Sequence, residues 1–494
     1  MSPVFQAVLQ SWSIPPAATF VIVLTALVYL HGWRLMRRAG LLFVPPWRAV
    51  AFLTGLLLLW IALSSPMDVL NGFVLTAHML QHMLLMMFVP PLLLLGAPFF
   101  PLVRGLPIFA AREFVGPFLN SSVAHRVGGA LTHPVVALLL MAITMFAWHV
   151  PAAYELALRV SAWHQLEHAS FLLTSLIFWW PVVQPWPSRA RWPRAAMVPY
   201  LLVADLQNTV LSAVLVFSDR VLYPSYAAVP RLFGLSALQD QVAAGAIMWV
   251  IGSFAFIVPA TAIAIQYLSS KPERAKPAAK REPSSVEALL AALPNIPVFG
   301  NFLRRRFSAS ALQAMWCVIV FVVAGLFFAT LSSTPSDDDQ ALHFRHSAGP
   351  FTVAVFAQRE LHAGAVPLSV LVQDRGSDNV LLNAIVDLAA HQPGQPPPKL
   401  SAQASYARSD NKLLQSADLG LPGAGEWTVD LTVRQNSQTA EFSFPLQLVK
   451  PARQVEFPWS YAAVVLFGML LYFAYVWRHR SLRVQPPIKC SPAA

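Results

Sequence analysis

The chain carries a succession of apolar runs, each about as long as a bilayer is thick, and this limits its possible folds more than any other feature. A helix needs about 20 apolar residues to cross the hydrocarbon core. Such runs fall at 17–36, 47–64, 73–95, 134–154, 166–183, 195–217, 241–268, 311–331 and 459–477. In lipid the backbone must satisfy its own hydrogen bonds, so these runs become helices packed side by side. Composition agrees: 56% of the residues are hydrophobic and 12% are charged, too apolar for a soluble domain. The expected fold is an all-α polytopic membrane bundle of about nine transmembrane helices. Pro90 and Pro91 lie inside the third run, where their missing amide donors should kink or break it.

Charge orients the bundle. Nothing basic precedes the first run, and Arg34, Arg37, Arg38 and Arg48 follow it. That run is therefore not read as a cleaved signal peptide. The positive-inside rule places the N-terminus outside and, after nine spans, the C-terminus in the cytoplasm. This threading puts 22 of the 34 Lys and Arg on cytoplasmic segments. The net charge of +11 thus reports orientation, and no motif points to nucleic acid as a partner. The two cysteines, Cys317 and Cys490, are too far apart in sequence to be presumed paired, and no thiol-based metal motif exists.

Composition divides the chain further. Residues 1–268 read as a seven-span unit rich in His and Met. Residues 269–310 are a basic Pro/Ala-rich cytoplasmic linker, attracted to anionic membrane lipids. An eighth helix follows at 311–331. Residues 332–458 change character, with β-type runs at 351–356, 367–372, 381–388, 427–433 and 440–448 separated by turn signals. Six or seven short strands suggest a small all-β immunoglobulin-like sandwich on the outer side. His343 and His346 precede it, and His362 and His391 fall in its expected loops. The ninth helix, 459–478, and a cytoplasmic tail, 479–494, complete the chain.

The third run holds Ala77-His78-Met79-Leu80-Gln81-His82-Met83-Leu84-Leu85-Met86-Met87. His78 and His82 stand one helical turn apart on one face, Met86 continues that face, and Met79 and Met83 lie beside it. Ionisable groups in a membrane helix are costly and mark functional sites. His149 closes the fourth run, and Trp163-His164-Gln165-Leu166-Glu167-His168 opens the fifth. By topology, His78, His82, His149, His164 and His168 converge at the outer leaflet from three helices. Glu167, Asp205, Asn208 and Asp240 are candidates for a supporting shell or proton relay, although Asp205 and Asn208 could equally bond neighbouring helices.

Three chemistries fit these residues. Imidazole and thioether together suit copper, Cu(I) above all, which a transfer protein could hand to another membrane protein. Histidines on facing helices could hold haem for electron transfer, although an i, i+4 pair cannot supply both axial ligands. The His164-x-x-Glu167-His168 pattern could bind zinc, with Glu167 as the base of an intramembrane metalloprotease. Bound copper, iron or zinc separates the three.

A family resemblance bears on the choice. The stretch His78-Met79-Leu80-Gln81-His82-Met83, followed by Pro90-Pro91-Leu92-Leu93-Leu94-Leu95-Gly96-Ala97-Pro98, resembles bacterial cytochrome c oxidase assembly factors of the CtaG type. These form the seven-span class named for caa-type oxidases. Trp163 to His168, Phe178-Trp179-Trp180-Pro181, Leu238-Gln239-Asp240-Gln241 and Gly245-Ala246-Ile247-Met248-Trp249 agree in the same order. The resemblance covers roughly residues 45 to 270. It implies a non-enzymatic role in the bacterial plasma membrane: maturing a respiratory oxidase, with oxidase subunits as clients, through delivery or insertion of copper. The eighth span, the sandwich and the last span are additions to that core.

Overall fold

The structure, a computed structural model, describes residues 3–41, 44–107, 122–185, 188, 191–269, 340–393 and 400–449. The helices are α1 (Pro3–Gln10), α2 (Pro16–Arg38), α3 (Pro46–Ser64), α4 (Pro66–Leu70), α5 (Leu75–Met83), α6 (Val89–Leu95), α7 (Phe99–Gly105), α8 (Ser122–Leu131), α9 (Pro134–His149), α10 (Pro151–Arg159), α11 (Ser161–Val183), α12 (Met197–Phe217), α13 (Pro224–Ala228) and α14 (Ala237–Ser269). Among the described residues, six segments are long and apolar enough to cross a membrane: Pro16–Arg38, Pro46–Leu70, Leu75–Leu95, Ser161–Val183, Arg194–Phe217 and Ala237–Ser269. Their surfaces match that reading. On α12, Leu206, Val210, Val214 and Phe217 form an exposed apolar stripe at helical spacing, which suits lipid and not water. The chain is a multi-pass membrane protein. The runs at 311–331 and 459–477 lie outside the described residues.

Small residues let the helices approach, as they must where lipid removes the hydrophobic drive for helix association. A Cβ on Gly32 would lie 1.8 Å from the Pro101 carbonyl oxygen, and one on Gly105 would lie 1.9 Å from that of Val28. Helices α2 and α7 therefore touch backbone to backbone. Gly245 and Gly252 let side chains of α12 press onto the α14 backbone, where a Cβ on Gly252 would meet Asn208 Nδ2 at 2.4 Å. Asn208 Nδ2 donates to the Met248 carbonyl at 3.2 Å, and Ser253 Oγ donates to Asp205 Oδ1 at 2.7 Å. Asp205 and Asn208 thus direct these bonds along the α12–α14 seam.

Two spans differ from the sequence expectation. The third is not broken at Pro90 and Pro91. Residues Leu84–Phe88 form a π segment between α5 and α6, and the prolines open α6, where an amide donor is least missed. Pro90 cannot donate to the carbonyl of Met86, four residues back, and the Trp179 indole does so instead at 3.0 Å. The fourth span is not straight to residue 154. Pro151 starts a new helix after His149, so α9 and α10 meet at 74° and together make at most a seventh crossing.

Among the described residues the β domain has nine strands, more than the six or seven expected: β1 (Gln340–Ala348), β2 (Phe351–Gln358), β3 (Leu361–His362), β4 (Gly364–Asp374), β5 (Ile385–His391), β6 (Leu400–Gln403), β7 (Gln415–Leu421), β8 (Gly425–Gln435) and β9 (Gln438–Val449). They form two sheets, ordered β1-β2-β4-β7 and β3-β9-β8-β5-β6, around one apolar core. His343 and His346 belong to β1, His362 to β3 and His391 to β5, not to flanks or loops. Leu342 and Phe344 signal β1 by alternation, but a bulge between them shifts its register against β2.

Strand β2 is buried on both faces, which explains its continuous apolar run. Val353 and Val355 enter the core between the sheets, whereas Ala354 and Phe356 join Leu371 in a second cluster with Ala7, Val8 and Leu70 of the bundle. Phe356 meets Phe73 edge-on with centroids 5.3 Å apart. The Lys412 amide donates to Ser11 Oγ at 2.8 Å, and Gln373 Nε2 donates to the Arg231 carbonyl at 2.8 Å. Burying Phe356 and Leu371 contributes about 1.5–3 kcal/mol each. The domain is thereby docked on the end of the bundle where α5 begins.

Candidate metal centre

Helix α5 is held at its start by another helix. Asp240 of α14 accepts from the Leu75 amide at 2.7 Å, the Thr76 amide at 3.1 Å and Thr76 Oγ1 at 2.6 Å. A carboxylate on the first amides of a helix satisfies orphan donors and opposes the positive end of the dipole. One turn on, His78 and His82 project from the same face, with their Nε2 atoms 2.9 Å apart. Helix α11 supplies the facing groups. The His78 ring lies 5.2 Å from that of His164 and 6.2 Å from that of His168, and His82 lies 5.2 Å from His168. Glu167 places Oε2 3.9 Å from His78 Nε2 and Oε1 3.8 Å from His82 Nε2. Donor atoms of His78, His82 and His168 all fall within 4.8 Å of one another, as do those of His78, His164 and Glu167.

Two hydrogen bonds fix the tautomers that a metal needs. Tyr226 Oη donates to the Asn71 carbonyl at 2.7 Å, so its oxygen is left to accept. Burial holds the Tyr226 hydroxyl well above the usual tyrosine range, which keeps that proton in place. His78 Nδ1, 3.2 Å from this oxygen, is then the N–H donor, and Nε2 carries the lone pair, which faces His82 Nε2. Tyr154 Oη lies 3.1 Å from Tyr226 Oη and donates to the same oxygen. His149 Nδ1 donates to the Met145 carbonyl at 2.7 Å, which likewise frees its Nε2. His149 and His82 both pack near Phe171, their ring centroids 6.4 and 4.8 Å from that of Phe171.

The donor set fits a cation. His149 Nε2, His164 Nε2, His168 Nε2, His82 Nδ1 and both Glu167 oxygens are buried without a hydrogen-bond partner. Buried polar atoms are nearly always paired. An ion among the groups of His78, His82, His164, His168 and Glu167 would account for four of these six, the atoms of His164, His168 and Glu167. Two nitrogens bound about 2.0–2.1 Å from one ion stand roughly 3 Å apart, and the His78–His82 pair already does so.

The predicted residues separate into groups. His78, His82, His164 and His168 come together, Glu167 stands among them, and His149 lies beside them. Asp240 caps the helix that carries two of them, while Asp205 and Asn208 bond along the α12–α14 seam. Met79, Met83 and Met86 are buried in the apolar core of the bundle. The π segment starts between Met83 and Met86, and its wider turn takes Met86 off the four-residue spacing from His82. Tyr226, Tyr154 and the Asn71 carbonyl were not foreseen. The one available signal was two tyrosines, Tyr223 and Tyr226, in a short loop facing the same end. Tyr226→Phe is expected to lower metal affinity about 10–100-fold, the usual cost of losing an outer-shell partner. Metal titration checks this; an unchanged affinity would detach Tyr226 from the site.

Comparison with known proteins supplies the remaining constraint. Residues 27–270 match the cytochrome c oxidase caa3 assembly factor family. Uncharacterized proteins of Mycobacterium bovis and Mycobacterium tuberculosis are each 26% identical over 272 residues, 54% of this chain and 40% of theirs. One of Mycobacterium leprae is 27% identical over 242 residues, 48% of this chain and 37% of its own. The matched stretch thus spans about two-fifths of those relatives' length. No solved structure matches the chain. Every side chain of the cluster lies inside the stretch 27–270, and over that stretch the chain belongs to the cytochrome c oxidase caa3 assembly factor family.

Proposed function

We propose that the chain is a non-catalytic assembly factor that holds copper at His78, His82, His164, His168 and Glu167 and passes it to a cytochrome c oxidase. The observation that carries this reading is the convergence of buried, unpartnered imidazole and carboxylate atoms from α5 and α11. The family supplies the client, and copper is cargo here, not a resident cofactor. Imidazole binds copper firmly, and Met79, Met83 and Met86 are soft donors for a relay through the bundle. On this reading the protein sits in a bacterial plasma membrane with nine spans, the N-terminus outside and the C-terminus in the cytoplasm. The cluster and the β domain, an immunoglobulin-like sandwich, then face the oxidising side.

Metal analysis of the detergent-purified full chain tests it. Close to one copper per chain is expected, lost on treatment with a copper(I) chelator. Zinc in place of copper, together with peptide hydrolysis, would establish the metalloprotease instead. Iron with a Soret band would establish a haem protein. A preparation that takes up no metal would sink the transfer reading.

A further inference from the structure

A cavity of about 370 Å³ lies between the β domain and the bundle. Asp68, Gly72 and Ser161 line it from the bundle, and Arg359 and Asp410 line it from the β domain. His164 lines it as well, while His78, His82, Glu167 and His168 do not. His164 therefore belongs to two spaces. It opens on the cavity, and it presents a donor atom within 4.8 Å of those of His78 and Glu167.

We propose that this cavity is the vestibule through which the cation reaches and leaves the cluster, with His164 as its portal ligand and the β domain as its outer wall. The proposal rests on the metal reading of the cluster. A hydrated cation cannot pass the apolar, lipid-facing surfaces of α12 and α14, whose exposed residues include Leu206, Phe217, Phe254 and Ile265. It needs a wet path with polar walls. One water needs roughly 10–15 Å³ of such space, so the cavity holds an ion with its hydration shell. Asp68 and Asp410 bring an acidic residue to each wall, and Arg159 and Arg359 bring a guanidinium to each, so the walls are charged and balanced. Gln81, buried on α5 between His78 and His82, donates to Asp68 Oδ1 at 2.8 Å and ties that wall to the ligand helix. An ion taken up by His164 then exchanges its waters for His78 and Glu167 without leaving protein donors. This assigns the docked β domain a task, which is to enclose the approach to the cluster.

Gly72 allows the route to be plugged without disturbing packing, because a Cβ built there meets nothing within 4 Å. Two measurements on the full-length protein separate route from cargo. In a Cys317→Ser, Cys490→Ser background, His164→Cys is labelled with a small charged thiol reagent, with and without Gly72→Trp. In parallel, protein with His164 intact is loaded with copper(I), and its release to a soluble chelator is timed. Gly72→Trp should slow both labelling and release at least tenfold while leaving copper bound at equilibrium unchanged. Asp410→Trp, a plug from the opposite wall, should do the same, and Gly72→Ala should leave both rates as they are. Equal rates in plugged and unplugged protein overturn the vestibule even where copper is bound. Slowed labelling in a protein that binds no copper upholds the route and fails the metal reading. Absence of labelling in the unplugged His164→Cys protein overturns the portal role.

Discussion

Replacing His78 and His82 together by alanine is expected to strip the protein of bound metal and leave the oxidase of the same cells short of copper. The pair contributes two imidazoles whose Nε2 atoms stand 2.9 Å apart. Loss of an outer-shell partner already costs about 10–100-fold in affinity, so loss of two ligands should cost well over a hundredfold. The double replacement is the informative one. A single change leaves the partner imidazole buried with an unpaired nitrogen, and that defect alone costs about 1–3 kcal/mol. Removing both leaves neither nitrogen in need of the other, so the helix should still insert and pack. The third span also keeps its anchors, Asp240 on the first amides of α5 and Trp179 on the Met86 carbonyl of the π segment. Metal content of the purified variant and copper content of the oxidase under copper limitation are the measurements. Fully copper-loaded oxidase in these cells would show that the pair is packing. Added copper should partly restore a weakened site by mass action.

Much of this centre is legible in the sequence because it is written in helical spacing and topology. Two histidine pairs at i, i+4, on neighbouring runs entered from the same side, must project at the same depth. Glu167 comes with them, one residue before His168 and three after His164. The parts that are not legible depend on contacts between distant segments. Asp240 shares its level with the histidines, yet its oxygens meet the amides of Leu75 and Thr76, which no pattern around residue 240 announces. Tyr226 sets the His78 tautomer from a five-residue helix 148 positions away. Pro90 and Pro91 read as a kink or break because sequence shows the missing donors and not the Trp179 indole that replaces one. Met86 lost its place on the histidine face for the same local reason, the π turn that accommodates the prolines. In the β domain, β2 hides its period of two because the bundle covers the face that water would otherwise mark with polar residues.

Glu167→Gln should separate the three roles that a carboxylate can play at this position. Its oxygens lie 3.9 and 3.8 Å from His78 Nε2 and His82 Nε2, too far for hydrogen bonds and near enough to share an ion with them. Neutral imidazoles with one carboxylate around a monovalent ion sum to zero charge, which a buried membrane site favours. Glutamine keeps the size and the oxygen but removes the charge. At about 4 Å and an effective dielectric of about 20, that charge is worth about 4 kcal/mol, or roughly a thousandfold in affinity. Copper(I) titration should therefore weaken by about that factor in Glu167→Gln, with the protein still folded and inserted. If Glu167 were instead the base of a hydrolase, the variant would keep its metal and lose peptide cleavage. If it were only a packed polar group, glutamine would pair with the histidines at least as well, and affinity and stability would both hold. Wild-type copper affinity in Glu167→Gln, with no hydrolysis to lose, would remove the carboxylate from the ligand set and leave His78, His82, His164 and His168 to hold the ion alone.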